Sequence, residues 1–369
     1  MIKIKKKLNQ PFSLPGFLSE KYLPSLDGWR AIAILLVVLG HAKFTVTKET
    51  IYYRFTEKFV YAELGVRIFF IISGFLITSL LIKETLLTNR INISHFFIKR
   101  VLRIFPLLYL YLSVIGILMV YYKLDLNIHN FLGPILYVSN FTFYNNTWLT
   151  GHTWSLSIEE QFYLVWPFVF SAMTKKAWLF CVLIIGLMPM LKVFWYYKGY
   201  YIQSLGPFLN GADAIFTGAL LSFLCFKGLM KADSNFWGSK SFKIIATLIL
   251  FLCYFLSHRG MMGKILLPFG GLLTDISVCY LLLSTIIHRK GFFYDILNNP
   301  IVTKIGVISY SLYIWQQVFI IPQDYYTAIL PRSAFPFNIL LSFLAAFISY
   351  YGYEVHFLKM KKKFIFIYP

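Results

Sequence analysis

A chain of 369 residues that is 58% hydrophobic, 20% aromatic and only 14% charged, with a mean hydropathy of +0.67, carries more apolar surface than one soluble core can bury. That composition excludes a water-soluble enzyme. The net charge of +20 does not make it a nucleic-acid binder, because the basic residues are scattered over loops and tails and form no stripe.

The first 25 residues are polar or mixed and hold Lys3, Lys5, Lys6 and Lys7. The apolar run behind them is long enough to span a bilayer, so a cleaved signal peptide is not expected. From there the hydrophobic pattern predicts an all-α, polytopic membrane protein of about ten transmembrane helices. They lie near 29–47, 63–83, 104–123, 156–173, 177–196, 207–226, 243–258, 265–287, 304–321 and 335–356. Segment 127–155 is apolar but interrupted by Asn, Pro and Thr, and is read as a loop or a partly re-entrant piece. Ten spans put both termini on one side, with the connecting segments that carry most of the 35 Lys and Arg. That side is therefore the cytoplasm. The domain reading is a basic N-terminal segment (1–25), one membrane domain (26–358) and a basic tail (359–369). Cys181, Cys225, Cys253 and Cys279 fall one to a segment with no CxxC pair, which suits packing and gives no metal site.

Five clusters hold polar residues that packing alone leaves unexplained. The first is Leu26–His41, where Arg30 and His41 are eleven residues apart and so share a helix face, about 16 Å from each other. A titratable ring at membrane depth calls for a function, although a hydrogen-bonded structural histidine fits too. Asp27 complements the helix start and pairs with Arg30, which does not exclude a part in chemistry. The second cluster, around Ser73 and Gly74, is a small polar notch among aromatics, suited to close helix approach. In the third, Arg100 and Arg103 share a face at the inner end of a span. Their guanidinium forks suit the phosphates of a nucleotide-containing cofactor, and equally lipid headgroups. The fourth runs from Thr153 to Tyr163. Ser155 and Glu159 are i,i+4 neighbours beside Trp154, and either a capped helix start or contact with a sugar acceptor accounts for them. The fifth places Ser309, Tyr313 and Gln316 on one helical stripe, as a polar path or as interhelical hydrogen bonds.

Taken in order, LDGWRAIAILLVVLGH, FFIISGFLI, RVLRIFP, WSLSIEEQFYL, ADAIFTGALL and ISYSLYIW resemble the acyltransferase-3 family of integral membrane proteins, from about Leu26 to Glu354. The family includes bacterial O-antigen and exopolysaccharide O-acetyltransferases. The resemblance implies a ten-helix domain in the cytoplasmic membrane of a bacterium. It would move an acyl group, most simply acetyl, from cytoplasmic acetyl-CoA to a hydroxyl of a surface polysaccharide or its lipid-linked precursor, with no metal and no nucleic-acid partner. It implies His41 as the base with Arg30 and Asp27 in the reaction centre. It also implies Arg100 and Arg103 on the CoA side or at the reaction centre, with Ser155 and Glu159 at the WSLSxE positions; beside the resemblance, Ser73 is taken with the CoA side, and Trp154 and Tyr313 join Ser155 and Glu159 on the acceptor side. Three positions depart from the family pattern: Gly211 stands where an Arg is common, Gln316 where many members have His, and His356 where Pro is usual. A flippase for lipid-linked sugars is the rival of another class, but it favours inverted repeats, and none is visible. A non-catalytic acylation partner, or an acyltransferase acting on a non-carbohydrate acceptor, also stays open.

Overall fold

The structure, a computed structural model, describes residues 12–20, 22–141, 147–199, 206–323 and 334–361, with side chains from 211 onward in the fourth stretch. Lys3, Lys5, Lys6 and Lys7 and the tail beyond Lys361 lie outside the described residues. Among those described there is no strand. The helices are α1 (Leu26–Ala42), α2 (Ile51–Phe59), α3 (Ala62–Thr88), α4 (Ile93–Tyr122), α5 (Ile128–Leu136), α6 (Trp148–Gly151), α7 (Thr153–Ala172) and α8 (Ala177–Tyr197). They continue as α9 (Gly206–Phe226), α10 (Lys240–His258), α11 (Gly263–Ile287), α12 (Phe292–Leu297), α13 (Pro300–Val307), α14 (Ser309–Phe319), α15 (Phe337–Ser349) and α16 (Val355–Lys361).

Among the described residues, six helical segments are long and apolar enough to cross a membrane: α1 with the 3₁₀ turn behind it, α3, α4, α8, α10 and α11. Their outer faces leave large apolar side chains uncovered, such as Ile117 and Val120 on α4, Met190 on α8, and Ile244, Leu248 and Leu252 on α10. Charged and hydroxyl side chains lie inside instead, among them Arg67, Asp213, Asp275 and Gln316. Polar inside and apolar outside is the arrangement lipid selects, and the chain is a multi-pass membrane protein.

Every predicted apolar segment contains helix, but the boundaries move for physical reasons. The first helix stops at Ala42, so His41 sits on its last turn and not midway along a span reaching residue 47. Helix α4 begins at Ile93, where Asn92 caps it by accepting from the His95 amide, and Pro106 lies inside the helix. The 304–321 segment is broken at Ile308 into α13 and α14. The last segment carries a π turn, Tyr350–Glu354, between α15 and α16. Among its described residues, segment 127–155 holds helices of nine and four residues, each too short to span, and the first turn of α7; Leu149, Thr150, His152 and Thr153 are buried.

The chain divides into two compact units, and α1 and α7 each contribute residues to both. The first comprises residues up to 33, 63–91 and 158–306. Its helices approach to backbone contact: a Cβ on Gly74 would stand 1.9 Å from the Ile215 carbonyl oxygen, and one on Gly218 2.1 Å from that of Ile71. So α3 and α9 cross where neither has a side chain. Trp166 anchors the aromatic filling, stacked on Phe162 and donating from its indole N–H to Thr78 at 2.9 Å. The second unit comprises 34–62, 92–157 and 307 onward. There Tyr310 on α14 donates to the Ile104 carbonyl on α4 at 2.7 Å. Ser311 donates to Glu354 at 2.6 Å, and the π turn carries that carboxylate inward.

Candidate active site

Helix α1 carries His41 on its last turn, and α14 carries Gln316 in the same unit. His41 Nδ1 and Gln316 Oε1 are 3.2 Å apart. An amide oxygen only accepts, so in this orientation the proton sits on Nδ1 and the imidazole presents Nε2 as a base. His41 is half-buried, and its ring meets the Trp148 indole edge-on at 5.5 Å. A polar amide partner and partial exposure distinguish it from a histidine sealed in hydrocarbon.

Tyr313, one turn before Gln316, is also buried. Its hydroxyl lies 2.6 Å from the His152 carbonyl and 2.6 Å from Ser155 Oγ. The carbonyl can only accept, so the phenol proton goes there and Ser155 donates to Tyr313. His152 is 4% exposed, with its ring between those of Tyr111 at 5.5 Å and Tyr313 at 5.4 Å. The Tyr111 hydroxyl donates to the Leu149 carbonyl, which ties α6 to α4. Of the stripe read from the sequence, Tyr313 faces His152 and the start of α7, and Gln316 faces His41 on α1.

The other predicted residues take definite places. In the first unit, Asp27 accepts from Arg30 at 2.8 Å and from the Tyr22 hydroxyl at 3.0 Å. Burial and the neighbouring carboxylate push the Tyr22 hydroxyl up to about 12, so it stays a donor. Ser73 donates to Glu159 at 2.6 Å. Ser155 and Glu159 are successive-turn neighbours on α7 yet hold different partners, Tyr313 and Ser73. In the second unit Arg100 lies over the Phe96 ring at 5.7 Å, and Arg103 is within electrostatic reach of Glu354. Both arginines are half-buried on α4, and Trp154 is half-buried at the start of α7.

Two groups were not singled out from the sequence. His152 stands directly before the Thr153–Tyr163 cluster, and its burial depends on α4 and α14 folding over it. The other is a buried charge network in the first unit. Arg67 binds Asp275 through Nε and Nη2 at 3.0 and 2.7 Å and Asp213 at 3.0 Å, while Lys192 binds Asp213 at 2.6 Å. Two cations and two anions leave it neutral. The signal was available: each of these charges interrupts an apolar segment, and an ionisable residue there demands a partner.

Helical throughout its described residues, with apolar side chains outward and a half-buried imidazole on a buried amide, the protein has the architecture of a polytopic membrane protein with polar chemistry inside. More particularly, residues 23–353 match the family model for the acyltransferase domain, and the chain belongs to the acyltransferase-3 family. It is similar to the peptidoglycan O-acetyltransferase OatA of Listeria monocytogenes serovar 1/2a, with 30% identity over 80% of this chain and 49% of that protein. It is also similar to the O-acetyltransferase OatA of Staphylococcus aureus (strain NCTC 8325 / PS 47), with 27% identity over 90% of this chain and 56% of that one. The chain thus spans about half the length of the curated relatives it matches. No solved structure matches it.

Proposed function

We propose that the protein is a membrane O-acetyltransferase that moves acetyl from cytoplasmic acetyl-CoA to a hydroxyl of a cell-surface glycan or its lipid-linked precursor. The observation that carries this reading is the His41–Gln316 contact, which orients a half-buried imidazole with its proton on Nδ1 and makes Nε2 the basic nitrogen. His41 Nε2 takes the proton of the acceptor hydroxyl as its oxygen bonds to the thioester carbonyl carbon. When the tetrahedral intermediate collapses, the C–S bond breaks and the departing thiolate takes that proton back. The products are the ester and free CoA.

Arg100 and Arg103 serve the phosphates of CoA. Trp154, Ser155 and Tyr313 shape the acceptor side. Asp27 with Arg30, and Glu159 with Ser73, supply carboxylates already held in place by a neighbour. The names of the relatives support a glycan acceptor of the peptidoglycan kind. We place the chain in the cytoplasmic membrane of a bacterium with ten spans and both termini inside, as the distribution of Lys and Arg favours.

The deciding experiment gives the detergent-purified chain radiolabelled acetyl-CoA and soluble peptidoglycan glycan strands. Alkali-labile label on the glycan is expected, with a loss of about 100-fold or more for His41→Ala. Full activity in that variant, or CoA release with no glycan labelling, overturns the proposal.

A further inference from the structure

The second unit leaves an aromatic pair open beside the candidate base. The Trp148 indole meets the His41 ring at 5.5 Å, and it meets the Phe44 ring edge-on at 6.2 Å. Phe44 is 42% exposed, and Trp148 and His41 are half-buried, so all three rings present surface to an incoming molecule. Phe44 lies on the 3₁₀ turn Lys43–Thr45, past the end of α1 at Ala42. Its neighbours are those of a water-facing surface. Lys43 Nζ lies 5.2 Å from the Phe44 ring centre and pairs with Glu57 at 2.6 Å, with both side chains partly open to solvent. Lys48 and Glu49 are exposed just beyond. Charges so placed belong at the aqueous boundary of a membrane and not in its hydrocarbon. Tyr52 fixes α2, which carries Glu57, by donating to the Leu39 carbonyl on α1 at 2.8 Å. Of the residues read as acceptor-side, Ser155 and Tyr313 are buried and bonded to each other, so they back the site without offering a surface.

We propose that Trp148 and Phe44 form a binding platform for one pyranose ring of the glycan acceptor, next to the base that takes its proton. This rests on the acetyl-transfer reading and names a surface which that reading leaves open. An aromatic face is electron-rich, and the C–H bonds along one face of a pyranose are weakly polarised towards positive. The two therefore stack without needing a charge. A sugar also carries hydroxyls around its rim, for which Lys43 Nζ supplies donors and the Glu57 carboxylate acceptors. Apolar contact with a few polar groups at its edge is the usual make-up of a small-molecule subsite. The contact between Trp148 and His41 sets the register, because a ring resting on the indole brings its hydroxyls to the imidazole. A lipid tail would leave the ion pair without a task. On the proposed topology Lys48 lies outside, so the platform is on the side where a surface glycan is met.

The test labels the detergent-purified full chain with 5-fluorotryptophan and follows its fluorine resonances as soluble peptidoglycan glycan strands are added. The resonance missing from Trp148→Phe belongs to Trp148. It is expected to shift and saturate in the unaltered chain, and to need about 3- to 10-fold more glycan in Phe44→Ala. In the transfer assay, Phe44→Ala and Trp148→Leu should raise KM for glycan by about 3- to 10-fold and leave KM for acetyl-CoA in place. Trp148→Phe keeps an aromatic face and should recover most of that loss. A purely structural role would instead raise both KM values together and gain nothing from phenylalanine over leucine. That pattern, or a Trp148 resonance that ignores the glycan, overturns the assignment. The resonance reads binding without turnover, so the two readings fail separately. A glycan-dependent shift with no acetyl transfer keeps the platform and removes the chemistry, whereas transfer with an unmoved resonance removes only the platform.

Discussion

On the proposed mechanism, Gln316 selects Nε2 as the basic nitrogen of His41. The residue is buried, its oxygen faces Nδ1, and being an amide it cannot titrate. Gln316→Glu should therefore act through charge. A carboxylate at 3.2 Å favours the imidazolium, so the proton is lost only at higher pH. The acid limb of the pH–rate profile should move upward, and activity at neutral pH should fall, while activity at alkaline pH recovers. A profile that stays in place would mean that the contact does not set the basicity of His41. Tyr313→Phe removes one hydroxyl that holds both the His152 carbonyl and Ser155. We expect a stability loss of about 1–3 kcal/mol from the groups left unpaired, read as a lower thermal transition in detergent, with a larger loss in kcat than in KM.

At the scale of elements, two devices join helices in the first unit. One is the backbone crossing of α3 and α9. Any Cβ at Gly74 collides with the Ile215 carbonyl oxygen and forces the helices apart. Gly74→Val should cost about 3 kcal/mol, whereas Gly116→Val on α4, where a Cβ meets nothing within 4 Å, should be close to neutral. The other device is the Arg67–Asp213–Lys192–Asp275 network. Asp275→Asn leaves Arg67 with one carboxylate in place of two and should destabilise by about 3–5 kcal/mol. Arg67→Met with Asp275→Leu removes an opposite-charge pair together and should cost less than either single change. A double variant weaker than the sum of the singles would show that the network does more than neutralise itself. Gly271 belongs to this device as well: a Cβ there would lie 2.8 Å from both Arg67 Nη2 and Asp213 Oδ2.

For the whole molecule, the charge distribution carries the topology. Ten spans with both ends inside place Lys48 outside and Lys231 in the cytoplasm. Single cysteines introduced at these two positions should react with an impermeant maleimide in intact cells at 48 and not at 231. The native cysteines are buried and should stay silent. The opposite labelling pattern would invert the chain, and labelling at both would require an even number of spans between them.

Legibility followed range. Apolar run length is a local property, and it marked out helix at every predicted span, because lipid leaves the backbone no other way to satisfy its hydrogen bonds. The stripe of Tyr313 and Gln316 was readable for the same reason, since helical periodicity fixes which side chains share a face. Boundaries were less readable: the break at Ile308 and the π turn at Tyr350–Glu354 depend on what packs against them. What the sequence by itself determined is thus a polytopic helical protein, its family, and His41 as the residue to watch. Only the tertiary structure decided the partners. Gln316 meets His41 from 275 residues away, Arg67 meets Asp275 from 208, and His152 is buried against the rings of Tyr111 and Tyr313. Partner choice is a matter of which faces meet in the fold, and no local pattern encodes that.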